Sequence, residues 1–140
     1  MKHTPKRTPL RKQSKIPIAR LKKKADAIFS VWVRMQGAWE QNGEYWNYCY
    51  TSGKPYPVKL LQCGHFRSRV HSATRYDPDN ARPQSFAENV WKRGNIAVYA
   101  IRLLDEIGET RMRAVVTKSQ TIFKLTTPYL EEIIQKFSPT

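Results

Sequence analysis

The sequence predicts an α+β fold: a mainly helical domain around a small ββα element, with a flexible basic N-terminal arm. Three observations carry this reading. Apolar residues recur at helical spacing in three separate stretches. A segment rich in aromatics and turn formers interrupts the first and second of these. The first residues combine cations and prolines without an acid. At 140 residues, 40% of them hydrophobic, the chain can bury one modest core but not two. A division into an arm at 1–19 and a single domain at 20–140 follows.

Between Met1 and Lys24 stand ten Lys or Arg and no acid, with prolines at 5, 9 and 17. Such a segment buries too little apolar surface to offset its ordering entropy, so it is expected to be extended or mobile when free. Against phosphates it becomes an electrostatic arm. The net charge of +14 exceeds what solubility needs, and a field of that sign concentrates polyanions, so DNA is the expected partner. Two cysteines, Cys49 and Cys63, are too few for a disulfide framework, and no apolar run approaches a membrane span or a signal-peptide core. A soluble cytoplasmic protein with no membrane partner is expected.

Leu21, Ala25, Ile28, Trp32, Met35 and Trp39 recur at steps of four and three, predicting an amphipathic helix over about Arg20–Glu40 with Gly43 at or just beyond its end. Lys22, Lys23 and Lys24 fall on its first turn and extend the basic surface. The following stretch, YWNYCYTSGKPYP, holds Cys49, Ser52 and Gly53 in the outline of a Cys-x-x-Cys-Gly zinc knuckle with its second thiolate missing. Ser85 and Glu88 repeat that spacing downstream. A tetrahedral structural zinc needs four good donors, mainly thiolate and imidazole, so none is expected. Aromatic packing by Tyr45, Trp46, Tyr48, Tyr50, Phe86 and Trp91 is expected to hold this region instead.

From Gln62 to Asn95 a histidine follows a short apolar run, an Arg-rich loop leads to Asn80 at the end of DPDN, and Asn89 stands where a helix can begin. Two strands presenting His65, a loop bringing Asn80 behind it and a helix turning Asn89 inward would make a ββα-metal site of the HNH kind, where one divalent cation and one general base meet at a scissile phosphate. Taken singly, His65 equally suits a strand histidine packed under Phe66, Asn80 a turn residue and Asn89 an N-cap. The closing helices come from Ile96, Tyr99, Ala100, Leu103, Leu104 and Ile107 up to Gly108, from 109–118, and from a start at Thr126–Pro128 with Leu130, Ile133, Ile134 and Phe137 on its apolar face.

The pieces CGHFRSR, TRYDPDN, RPQ, the Asn of FAEN, KRGN and a following Tyr, in this order and with these gaps, resemble the NinG/Rap family of phage recombination endonucleases. The resemblance covers the chain from about Leu21 onward. It implies a metal-dependent nuclease acting on branched DNA such as Holliday junctions and D-loops. By the same resemblance His65 is the general base, Asn80 ties the loop and orients the imidazole, and Asn89 is an oxygen ligand for Mg²⁺ or Mn²⁺. Arg75 is the candidate for gripping the phosphate, with a structural pairing to Asp77 or Asp79 as its alternative. One departure stands out: many HNH sites carry a metal ligand just before the base, and here that position is Gly64.

Arg67, Arg69, Arg82, Lys92, Arg93 and Asn95 flank the proposed site and are expected, with Lys22, Lys23 and Lys24, to contact DNA backbone phosphates. No base-reading element stands out. Symmetric cutting of a four-way junction takes two sites, which a homodimer would supply. The rival reading is a non-catalytic, structure-selective DNA-binding protein on a degenerate scaffold.

Overall fold

The computed structural model describes residues 16–139. The arm expected at 1–19 lies outside the described residues up to residue 15. Helix α1 spans Ile18–Met35 and buries Leu21, Ala25, Phe29 and Val33, spaced four apart, with Ile28 and Trp32 half-buried beside them. It stops five residues short of Glu40, and Trp39 belongs to the next strand. The physical reason is a cap supplied from elsewhere: the buried Asn47 amide donates to the carbonyls of Arg34 and Gln36, at 2.9 and 2.7 Å, satisfying acceptors that a longer helix would need.

Strands β1 (Trp39–Gln41), β2 (Glu44–Tyr48) and β3 (Pro55–Pro57) form an antiparallel sheet in that order. Gly43 does not end the helix. With Asn42 it makes the two-residue turn between β1 and β2, both residues left-handed (φ 77° and 54°), which suits an Asn-Gly pair because its twist matches that of paired strands. A second sheet pairs β4 (Leu61–His65) with β5 (Ala81–Ser85), antiparallel, with His65 opposite Ala81. The connection 66–80 holds two short 3-10 turns, and β5 runs through Phe86 into a single π-type turn, Ala87–Trp91. The order strand, long loop, strand, helical turn is thus present, with a helical part far shorter than a regular helix.

Helix α2 (Ile96–Ser119) is broken at Gly108 (φ 81°, ψ 167°), where the sequence places a helix end. Tyr99 and Leu103 are buried in its first half, whereas Ile96 and Leu104 of the expected stripe are exposed. Helix α3 (Thr127–Phe137) starts on the Thr126 side chain, which accepts from the Tyr129 N–H. The core lies between α1 and α3: Phe137 meets Phe29 and Trp32 edge-on at 5.0 and 4.9 Å, and Tyr76 and Ala81 close it from the β4–β5 unit. This anchors the long loop and β5 to α1, which sets the position of everything below. Among the described residues no helix is long and apolar enough to cross a membrane. The fold is α+β, as expected.

Candidate functional site

β4 has only β5 as a strand neighbour, so its other edge is unpaired. Along that edge runs a cleft of about 900 Å³. It is lined by Asp26, Phe29 and Ser30 of helix α1, by Asn89 of the helical turn with Arg93, and by Arg67, Arg69 and His71 of the loop after β4.

His65 ends β4 and lines this cleft, half-buried, with its ring 6.2 Å from that of Phe29. Its Nε2 lies 2.8 Å from the Arg75 carbonyl. A carbonyl only accepts, so Nε2 carries the hydrogen and Nδ1 keeps the free lone pair. Burial lowers the pKa below the usual histidine value, and the Arg69 and Arg75 charges add to this against the opposing carbonyl bond. The imidazole is therefore neutral at pH 7, the form a proton acceptor requires.

Asn80 does not touch the cleft. It is fully buried behind the 66–80 loop, where its Oδ1 accepts from the Arg67 N–H at 2.7 Å and its Nδ2 donates to the carbonyls of Arg67 and Thr74, each at 2.9 Å. It ties the loop together, and the loop's Arg75 carbonyl orients the imidazole. Asn80 itself makes no hydrogen bond to His65.

Arg75 is placed differently from a phosphate grip. Its Nε and Nη2 donate to both oxygens of Asp26, at 2.8 and 2.6 Å, and its Nη1 to the Arg69 carbonyl. Its side chain is only 11% exposed, and its partner is neither Asp77 nor Asp79. Burial would raise the Asp26 pKa, but hydrogen bonds from Arg75 and Tyr76 and the charges of Arg75 and Arg69 outweigh it and hold the group ionised. Sequence reasoning passed over Asp26, although it is the one acid in the first 39 residues.

Asn89 lies inside the helical turn rather than at its N-cap and lines the cleft. Its Nδ2 donates to Gln62 Oε1 at 2.8 Å, which fixes the amide so that Oδ1 remains free for another partner. Gly64 has a structural cause. A Cβ there would stand 1.9 Å from Gln84 Oε1, and Gln84 is fully buried, with its Nε2 donating to Thr51 and to the Gly94 carbonyl. The Gln84 side chain fills the space that a residue before the base would use.

Of the expected phosphate contacts, Arg67, Arg69 and Arg93 line the cleft. Arg82 does not: it sits in a second cleft on the far side of β5, paired with Glu106 at 3.2 Å and lying over the Tyr50 ring. Asn95 is a structural residue, its left-handed backbone (φ 46°) held while its amide donates to buried Glu88 at 2.8 Å. Lys92 is exposed but paired with the same Glu88. Lys22, Lys23 and Lys24 lie past the first turn of α1, away from the cleft lining.

The knuckle positions do converge. Cys49 Sγ accepts from the Ser85 N–H at 3.2 Å and lies 3.7 Å from Ser85 Oγ, which in turn accepts from the Glu88 N–H. Burial would raise the Cys49 pKa, but hydrogen bonds from Ser52 and Ser85 outweigh it. Burial would raise that of Glu88 too, but Lys92, Asn95 and Thr51 pull it down to about 2. One thiol, two hydroxyls and a carboxylate already bound to a lysine do not fit a tetrahedral zinc. Aromatic packing holds part of this region, with Tyr50 against buried Tyr99 at 5.1 Å and Tyr48 against Trp39 at 4.8 Å, while Phe86 and Trp91 pair with each other in exposed positions and hydrogen bonds join the knuckle residues.

Among the described residues no group of three or more His, Cys, Asp or Glu could hold a metal. The donor set of the cleft offers one uncommitted amide oxygen, Asn89 Oδ1, of the kind that Mg²⁺ or Mn²⁺ takes alongside waters. It does not suit an ion held by protein alone, since Asp26, the one carboxylate lining the cleft, is taken by Arg75. A family model described as "Bacteriophage Lambda NinG protein" matches residues 2–139. No curated protein matches the chain, and no solved structure does.

Proposed function

Because the chain belongs to the family of the bacteriophage lambda NinG protein, which ties it to phage recombination, we propose that it is a divalent-metal-dependent endonuclease of the HNH type. Its substrate is branched DNA such as Holliday junctions and D-loops in the host cytoplasm, with a pair of copies supplying two cuts to a symmetric junction. The observation that carries this is the His65 imidazole held through Nε2 by the Arg75 carbonyl, at the wall of a basic cleft that Asn89 also lines.

In this reading His65 Nδ1 takes a proton from a water as that water's oxygen attacks phosphorus, and the bond to the leaving oxygen breaks in line. Asn89 Oδ1 would hold the cation, which when bound would stabilise the negative charge that develops as the phosphodiester breaks. Arg69 and Arg93, rather than Arg75, face the phosphate. Arg75 acts through its backbone: locked on Asp26, it keeps its carbonyl against Nε2 and so selects the tautomer. The knuckle positions are a hydrogen-bonded replacement for a metal staple.

The test is cleavage of a synthetic four-way junction and its linear duplex in Mg²⁺, Mn²⁺ or EDTA. Metal-dependent nicking of the junction that is lost in His65→Ala is the expected result; nicking that survives His65→Ala overturns the assignment. A second reading, structure-selective binding without cutting, is favoured by the engagement of Asp26 and by Gly64. Junction binding with no nicking in either metal would establish it.

A further inference from the structure

The turn that carries Asn89 ends on a side chain that serves no part of the core. Trp91 is 75% exposed, and its ring neighbour is Phe86, 47% exposed, held edge-on at 5.5 Å. Val90, the chain neighbour of Trp91, is exposed and lines the His65 cleft, as does Ile96. The other three tryptophans are half-buried. A solvated indole on a short turn forgoes the burial that normally accounts for tryptophan, so an exposed aromatic pair of this kind beside a basic cleft marks a binding surface.

Charge decides what it binds. Arg93 follows two residues after Trp91, lines the cleft and makes no ion pair among the described residues. With a net charge of +14 on the whole chain, a second copy laid on this patch would bring like charge against like charge. A polyanion with exposed π-faces meets both features at once, and that is the combination single-stranded nucleic acid uses: backbone on cations, bases on aromatic rings. A paired duplex hides its base faces inside the stack, whereas a branch point can expose them.

We propose that Trp91, braced by Phe86, is a stacking platform for an unpaired base at a DNA branch point, beside the strand whose backbone lies in the His65 cleft. This rests on the cleavage reading only for the strand placed in the His65 cleft; the platform itself is a binding surface. It supplies discrimination of branched from linear DNA without any base-specific contact, which backbone contacts alone would leave to shape.

The test uses the full chain in EDTA, so that no cleavage is needed. Binding of a four-way junction, a single-stranded oligothymidine and a linear duplex is measured for native protein, Trp91→Ala and Trp91→Phe. Stacking strengths imply a loss of about tenfold or more for Trp91→Ala on the junction and the single strand. The duplex should change little, and Trp91→Phe should retain most of the affinity. Indole emission should be quenched by oligothymidine in the native chain and unquenched in Trp91→Phe. Equal loss on all three DNAs, no loss on any, or no DNA binding at all would overturn the proposal. So would Trp91→Ala turning a dimer into a monomer in sedimentation while DNA affinity stays unchanged, since the patch would then be a self-interface. Selective binding without nicking in Mg²⁺ would sink the cleavage reading and leave the platform standing.

Discussion

Asn80→Ala is the sharpest perturbation of the fold around the site. The side chain makes three hydrogen bonds from a fully buried position, to Arg67 N–H, Arg67 C=O and Thr74 C=O. At about 1 kcal/mol net for each, their loss costs about 3 kcal/mol. The Thr74 carbonyl keeps the Asp77 N–H at 3.2 Å, but the Arg67 groups lose partners, which raises the cost to about 3–5 kcal/mol. For a chain of this size that lowers Tm by roughly 10–20 °C. Asn80→Asp should be at least as damaging, because it removes both donated bonds and sets a carboxylate against two carbonyls in a dry site. Thermal and urea unfolding followed by circular dichroism measures both. A fall in Tm under about 3 °C for Asn80→Ala would refute the tie. At temperatures where the variant is still folded, junction nicking should drop well below native, because the loop no longer holds the Arg75 carbonyl against His65.

Gly64→Ala should destabilise by about 1–3 kcal/mol through overpacking against Gln84, and a Gly64→Ala, Gln84→Ala pair should be far from additive in unfolding experiments. Nicking should rise with pH through a histidine pKa lying below the ordinary value of 6.5, since the neutral imidazole is the base; a pH–rate profile whose acid limb falls above 6.5 would contradict this. The same lowered pKa contributes stability that is complete above 6.5 and declines as pH falls through the folded value. Glu88, at about 2 against an ordinary 4.5, adds stability present above 4.5 and lost as pH drops toward 2; urea titrations of native protein and Glu88→Gln should converge at the acid end. Chelation should abolish nicking and leave Tm unchanged. Ser85→Ala, which strips the Glu88 N–H of its acceptor, should cost about 1–3 kcal/mol by the same unfolding assay.

Much of the architecture was legible along the chain because it depends on near neighbours. The spacing of Leu21 and Ala25 marks α1, Gly108 marks the break in α2, and Thr126–Pro128 marks the start of α3. The α1 boundary is not legible in the chain because its cap, Asn47, comes from a strand thirteen residues away from the carbonyl it closes. The Asn42–Gly43 pair did carry a hairpin signal, and the helical period running on to Trp39 masked it.

What the sequence by itself determined is a strongly basic chain, its main helices, and an ordered His, Asn and Asn. What only the tertiary structure decided is which groups are left free to act. Arg75 is spent on Asp26 and Asn95 on Glu88; Arg82 faces the far side of β5; Gly64 yields its space to Gln84; and Trp91 is left in water. The reason is that a side chain's availability depends on whether another group, distant in sequence, already satisfies its charge or hydrogen bonds, and only the folded packing brings such partners together.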